Sequence, residues 1–211
     1  MNGRSGRVPE VVVKRLPVYL RVLEELDEEE IPIVSSQELG RRAGVSPGQV
    51  RKDLTNFGVF GKQGVGYQTA VLRRELRRIL GLDRPIPVGL IGAGHLGLAV
   101  ARYDQERERS HAGGTHLVAI FDKDPRKIGT SIGNLVIRDV GELEETIAAL
   151  GIKIVIVAVP APEAQRIVER AICAGVRAFL NFAPVNLVVP PGVVVHTTDV
   201  GLELEALAYY A

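Results

Sequence analysis

The rhythm of apolar and polar positions changes once along the chain, and the change divides it into two parts. After Pro9, residues Val12, Leu16, Tyr19, Leu20, Leu23 and Leu26 recur at helical spacing. This predicts a long amphipathic helix, interrupted at Pro17 and ended by the acidic run from Glu24 to Glu30. Ile33 and Val34 form a short extended piece before Ser35, whose hydroxyl suits a helix N-cap with Glu38 reaching back in a capping box. That helix stops at Ala43 and Gly44. Ser46 with Pro47 signals a second start, and Leu39, Ala43, Val45, Val50 and Leu54 make the small core of a helix-turn-helix. A glycine-punctuated hairpin is expected over residues 58–67 (GVFGKQGVGY). A helix over residues 71–80 follows, with Leu72, Leu76, Ile79 and Leu80 inward.

Beyond the proline-stiffened stretch 82–87 (LDRPIP), short apolar runs alternate with helical patterns. Strands are expected at 88–91, 116–121, 136–137, 154–159, 178–180 and 193–196, and helices at 96–104, 141–150 and 162–174. Such alternation implies a mostly parallel sheet wrapped by helices on both faces. Residues 106–114 read as an exposed loop of mixed charge. Residues 199–211 (DVGLELEALAYYA) read as a capped helix whose Leu202, Leu204, Leu207 and Tyr210 have no later chain to cover them; such a helix suits docking on a second subunit. The expected organisation is therefore residues 1–80, a linker 81–87, residues 88–198 and a terminal helix 199–211.

Composition narrows the class. The chain has 211 residues, 46% hydrophobic and 24% charged, as in ordinary globular proteins. No apolar run reaches the roughly 20 residues of a membrane span and no signal-peptide pattern opens the chain, so a cytoplasmic location is expected. The single cysteine, Cys173, is expected to be a buried structural thiol. A net charge of +1 hides an asymmetry: residues 1–80 hold 14 Lys and Arg against 10 Asp and Glu, and residues 81–211 hold 12 against 15. Six of the early acids fall between Glu24 and Glu30, so the rest of the first part is basic, as a polyanion partner requires.

The strongest chemical signal is VGLIGAGHLG, residues 88–97. An apolar strand enters a turn built on Gly92, Gly94 and Gly97, and a helix follows. In a dinucleotide site the first glycine makes the turn, the second admits the pyrophosphate, and the third lets helix and strand pack closely. The phosphates then rest on N–H groups at the helix start, which makes Gly92, Ala93, Gly94, His95, Leu96 and Gly97 candidate cofactor residues. Asp122, at the end of the next strand, is placed to accept hydrogen bonds from a ribose diol, which favours NAD(H) over NADP(H); Lys123 beside it is a cation able to tolerate further phosphate. Two more strand ends are candidate linings: Val159, Pro160 and Ala161, and Asn181, Phe182 and Ala183. Phe182 suits packing on a nicotinamide ring or a place in the core.

In the first part, the second helix of the helix-turn-helix is the candidate recognition helix. Its cap Ser46 and its face Gln49, Arg51, Lys52, Thr55 and Asn56 offer groups that bond base edges and phosphates. The hairpin, with Lys62, Gln63 and Gly64 at its tip, reads as a wing able to enter a minor groove. Arg73, Arg74, Arg77 and Arg78 either touch DNA or solvate their helix.

A winged helix followed by this glycine turn and a terminal helix resembles the Rex family of bacterial redox-sensing transcriptional repressors. The resemblance rests on KRLPVYLRVLEEL (14–26), SSQELGRRAGVSPGQVRKDLTNFG (35–58), GKQGVGY (61–67), GAGHLGLAVARY (92–103), AVPAPEAQ (158–165) and NFAP (181–184), and covers nearly the whole chain. It implies a homodimer that binds double-stranded operator DNA when NADH is scarce and leaves it when NADH binds, reporting the NADH/NAD⁺ ratio. It implies a winged helix-turn-helix domain, a Rossmann-like doubly wound domain and an exchanged C-terminal helix. Three positions the family associates with signalling fall on Arg15, Tyr103 and Asp199; locally, Arg15 and Asp199 are suited to an ion pair, with Tyr103 bonded to either. The stretch before Thr115 is longer and more charged than the family pattern suggests.

Two other readings compete. An NAD-dependent dehydrogenase needs an acid or base beside the nicotinamide, and of His95, His111, His116 and His196 only His95 adjoins the nucleotide turn. A winged-helix regulator of another nucleotide, such as coenzyme A, fits the same glycine turn.

Overall fold

The computed structural model describes residues 8–58, 61, 65–110 and 114–211. The chain divides into two units between Asp83 and Arg84.

In the first unit, helix α1 (Glu10–Glu28) runs unbroken through Pro17. The proline leaves one carbonyl without its amide, but it lies on the exposed side, and the buried stripe Val12, Leu16, Tyr19, Leu20, Leu23 and Leu26 continues past it and holds the helix together. Strand β1 (Ile33–Val34) precedes α2 (Ser36–Ala43), where Ser35 Oγ accepts from the Glu38 amide at 3.0 Å. Only half of the capping box forms. The Glu38 carboxylate is taken by Arg41 and Arg42, which hold it down to about pKa 2. Gly44, at φ 70°, ends α2 in the left-handed conformation that glycine tolerates best. Helix α3 (Pro47–Thr55) then starts on Ser46, which accepts from the Gln49 amide at 3.2 Å.

Strand β2 (Tyr67–Gln68) pairs antiparallel with β1, Val34 opposite Tyr67. The expected tip, Lys62, Gln63 and Gly64, lies outside the described residues. Helix α4 (Thr69–Ile79) starts two residues before the expected point and packs on α1. Two of its arginines pair with acids of α1. Arg73 bonds Asp27 and Arg77 bonds Glu24, while Arg42 makes a two-pronged bond to Glu29 at 2.7 and 2.8 Å. Much of the acidic run is thus neutralised inside the unit. Arg74 stays exposed and makes no ion pair among the described residues.

The second unit opens with β3 (Ile86–Ile91), two residues into the expected linker. Helix α5 (His95–Ser110), β4 (Thr115–Asp122), β5 (Ser131–Ile132), β6 (Leu135–Asp139), α6 (Leu143–Leu150), β7 (Ile154–Val157), α7 (Ala161–Cys173), β8 (Ala178–Asn181), β9 (Val194–Thr197) and α8 (Val200–Ala208) follow. Helix α5 runs six residues beyond its expected end, replacing much of the expected loop; Arg107 ties it to Asp104 and to the Thr115 carbonyl.

The sheet order is β5-β6-β4-β3-β7-β8-β9, parallel from β6 to β9. The chain starts at β3 in the middle, winds out to β6 and returns to the other side at β7, which is the doubly wound order with its switch point between β3 and β7. The antiparallel β5–β6 hairpin stands where the sequence shows only one short strand. Leu143, Ile147, Ala164, Ile167, Val168 and Ala171 from α6 and α7 pack on Phe121, Val155, Val157 and Phe179 of the sheet. Cys173 falls off this stripe: it is exposed at the end of α7, contrary to expectation, because the buried positions 164, 167, 168 and 171 face the other way.

Candidate functional site

The glycine turn sits at the switch point, and each of its glycines has a physical role. Gly92 has φ 103°, and a Cβ there would lie 2.3 Å from the Ala158 carbonyl oxygen; a Cβ on Gly97 would lie 1.9 Å from the carbonyl oxygen of Gly92. Strand, turn and helix are too close there for any side chain. At Gly94 a Cβ would meet nothing within 4 Å. It faces open space at the start of α5, whose first-turn amides lack intrahelical acceptors and favour an anion.

Open space continues as a cleft of about 870 Å³ lined by Gly92 and Gly94, by Asp122, Lys123 and Lys127 after β4, and by Val159, Pro160, Glu163 and Arg166 at the start of α7. Its size falls within the range that takes a cofactor. Of its four cations, Lys123 pairs with Glu163 at 2.5 Å, Lys127 with Asp122 at 3.0 Å, and Arg170 with Glu144 at 2.6 Å. Arg166 is exposed and makes no ion pair among the described residues. Lys127, Glu163 and Arg166 carry no motif of their own, so the sequence did not point to them.

Asp122 is already engaged within the protein. It is buried, and Oδ2 accepts from the Ala93 amide at 2.8 Å and from Lys127, while Oδ1 accepts from the Asp124 amide at 2.9 Å. Burial alone would push its pKa up; these bonds outweigh it and hold the carboxyl below the ordinary range. A carboxylate accepts about four hydrogen bonds, so one acceptor site stays open. Ala93, in turn, spends its amide on Asp122 rather than on a phosphate.

The remaining cofactor candidates divide. His95 and Leu96 are exposed at the start of α5. Val159 and Pro160 line the cleft, and Ala161 begins α7 beside them. Asn181 and Ala183 do not line it. Asn181 is fully buried, its amide nitrogen donating to the Ala183 and Val185 carbonyls and its oxygen accepting from the Ala183 amide, so it shapes the turn after β8. Ala183 belongs to the core, and Phe182 is half-buried.

In the first unit, Arg51, Lys52 and Thr55 are exposed on α3, as is Asn56 at its C-terminal cap. Thr55 and Asn56 send their donors back to helix carbonyls, and Arg51 bonds Ser36 Oγ at 2.9 Å. The Lys52 ammonium makes no bond among the described residues. Gln49 is half-buried, because its Nε2 donates to Asp53 Oδ1 at 2.6 Å. Asp53 was not anticipated at all: it is fully buried and also accepts from Arg15 Nε and Nη2 at 2.6 and 2.8 Å and from Tyr19 Oη at 2.7 Å. Burial would raise its pKa, but these donors hold it below the ordinary value, while burial followed by the Asp53 bond pushes the Tyr19 hydroxyl up. Its place on the 50, 53, 54, 57 stripe was the available signal.

Arg15 and Asp199, suited to an ion pair by type, each have partners within their own unit. Arg15 is committed to Asp53, and Asp199 Oδ1 caps α8 by accepting from the Gly201 and Leu202 amides. Tyr103 is exposed on α5.

Comparison with known proteins decides the family. Residues 7–55 match a model described as the N-terminus of putative DNA-binding proteins, and residues 83–185 match a CoA binding domain. The redox-sensing transcriptional repressor Rex of Chloroflexus aggregans is 48% identical over 207 residues, 98% of this chain and 96% of that protein. The chain belongs to the Rex family. The Rex repressor of Natranaerobius thermophilus is 42% identical over 211 residues, covering all of this chain and 94% of that one. Among solved structures, the Rex-family repressor RSP in complex with NAD⁺ and operator DNA superposes with a TM-score of 0.87 at 39% identity, over 96% of this chain and 92% of that one. Its complex with NADH gives 0.84 at 36%, over 98% and 95%. No helix among the described residues is long and apolar enough to cross a membrane.

Proposed function

We propose that this Rex-family chain is a transcriptional repressor that binds double-stranded operator DNA when NADH is low and releases it when NADH rises. The observation that carries the reading is the union, in one chain, of a helix-turn-helix unit and a dinucleotide cleft at a sheet switch point, as in the NAD⁺- and DNA-bound relative. Within the cleft, the α5 amides beyond Gly94 receive the pyrophosphate, Arg166 adds a cation at the rim, and Asp122 both fixes the turn and offers its last acceptor site to a ribose. When bound, the dinucleotide supplies the signal through its nicotinamide, which carries a positive charge in NAD⁺ and none in NADH.

The working form is a homodimer in the cytoplasm. Helix α8 exposes Leu202, Leu204 and Leu207 by more than 60% each, which a monomer has no reason to do, and we assign it to a second copy of the chain. Arg15, Tyr103 and Asp199 are the proposed signalling residues. NADH shifts the dimer only in so far as it binds the released form more tightly than the DNA-bound form. We read the cleft as a sensor without catalysis; multiple-turnover oxidation of NADH with a carbonyl substrate would speak for the dehydrogenase instead.

Fluorescence anisotropy of a palindromic operator fragment at fixed salt, with NADH, NAD⁺ and coenzyme A titrated separately, tests the reading. Release by NADH at concentrations where the other two have little effect is expected. Release by coenzyme A alone would replace the ligand, and indifference to all three would leave only a DNA-binding protein.

A further inference from the structure

The Gln49–Asp53 bond says something about the base this chain reads, if it binds DNA as proposed above. An exposed glutamine amide rotates freely and presents its oxygen or its nitrogen to a neighbour at nearly equal cost. Here it has no such choice. The Asp53 carboxylate is an acceptor only, it is fully buried, and Arg15, Tyr19 and Gln49 together saturate it. Nε2 must therefore face Asp53, and turning the amide over would set oxygen against oxygen at 2.6 Å. One N–H is consumed; Oε1 and the second N–H have no partner among the described residues.

An amide with one acceptor and one donor left is a fork, and its position gives it a use. Gln49 is the third residue of α3, at the N-terminal end from which a recognition helix contacts base edges. Adenine is the base whose major-groove edge matches an acceptor–donor fork, with its N6 amino group and its N7. Guanine presents two acceptors there, which a carbonyl oxygen repels. The other amide on this face, Asn56, has its nitrogen turned back to the Lys52 and Asp53 carbonyls and offers no fork.

We propose that Gln49 reads an adenine in each operator half-site and that buried Asp53 is its positioning residue, fixing which way the amide faces. The anchor is continuous with α1, because the same carboxylate holds Arg15 and Tyr19. A displacement of α1 relative to α3 therefore disturbs base reading as well as the spacing of the two recognition helices.

The test uses the full chain and a randomised double-stranded DNA library. The sequence selected by the unaltered protein is then changed one base pair at a time, and binding is measured by anisotropy at several salt concentrations. The expected result is one symmetry-related A·T pair whose replacement, or whose change to 7-deazaadenine, weakens binding by roughly ten- to a hundredfold. Gln49→Ala removes discrimination at that pair alone, and Asp53→Asn weakens it there while leaving the salt dependence, which counts phosphate contacts, unchanged. Gln49→Met, of similar length without the fork, gives the same reading if the alanine variant folds poorly. Base preferences unchanged in Gln49→Ala and Gln49→Met, or affinity lost equally for every base, overturn the proposal while DNA binding itself stands. Failure of the unaltered chain to select any sequence overturns the DNA-binding reading, and this one with it.

Discussion

At the scale of single residues, the glycine turn separates packing from ligand binding. Gly97→Ala places a methyl group 1.9 Å from a backbone oxygen, so helix and strand must move apart; a loss of about 3 kcal/mol in denaturant unfolding is expected. Gly94→Ala puts the same methyl into open space. Stability measured by thermal unfolding should hardly change, while NADH affinity falls at least about tenfold because the methyl stands where the phosphates enter. Equal loss of stability in both variants would contradict the assignment of the open space. Buried Asp53 and Asp122 set a pH limit. Their folded pKa values lie below the unfolded value of about 3.9, so their contribution is complete above that pH and is lost as pH falls through the folded values. Acid unfolding should therefore steepen below about pH 4, and Asp122→Asn should flatten that limb; an unchanged acid limb would mean that the carboxylate contributes little.

At the scale of elements, local signals in the sequence were read where short-range chemistry decides the structure. Ser35, Ser46 and Gly44 mark the helix ends they were expected to mark, Gly92 and Gly94 form the turn between β3 and α5, and Gly97 lies in the first turn of α5. What escaped depends on partners far along the chain. Asp53 is a helix-surface residue by type, and only the arrival of Arg15 and Tyr19, 38 and 34 residues away, makes its burial possible. Of the α4 arginines, Arg73 and Arg77 find their partners Asp27 and Glu24 on α1, 46 and 53 residues away. Helix α5 outran its expected end because the side chains of Asp104 and Arg107 bond each other and reach β4, at Leu117 and Thr115, support that a list of polar residues conceals. Asn181 looked like a ligand-lining residue because it ends a strand, yet its buried amide bonds the turn that follows. Pro17 by local preference interrupts the helix, yet the buried stripe carries α1 through it. Its cost should still be measurable: the ring is exposed, so Pro17→Ala should restore a helix hydrogen bond and raise unfolding stability by about 1 kcal/mol or more, less the entropy the proline removes from the unfolded chain. A decrease would show that the proline fits the helix better than its missing amide suggests.

At the scale of the whole molecule, the account joins two units that carry separate chemistry. Helix α8 has no buried residue in one chain, and the proposed dimer assigns its apolar positions to a second copy. Deleting residues 199–211 should shift the protein from dimer to monomer in sedimentation equilibrium, and operator affinity should fall with it, because one recognition helix then meets one half-site instead of two. A truncated chain that remains fully dimeric would remove α8 from the interface. The central claim is that the dinucleotide and the operator compete through the conformation of that dimer, and linkage makes the claim exact in one respect: the factor by which NADH weakens operator binding must equal the factor by which the operator weakens NADH binding. The most direct test is NADH affinity measured by calorimetry with and without saturating operator DNA. The account predicts weaker NADH binding in the presence of the operator, by the same factor that anisotropy gives for operator binding in the presence of NADH. The same NADH affinity with and without the operator would contradict it.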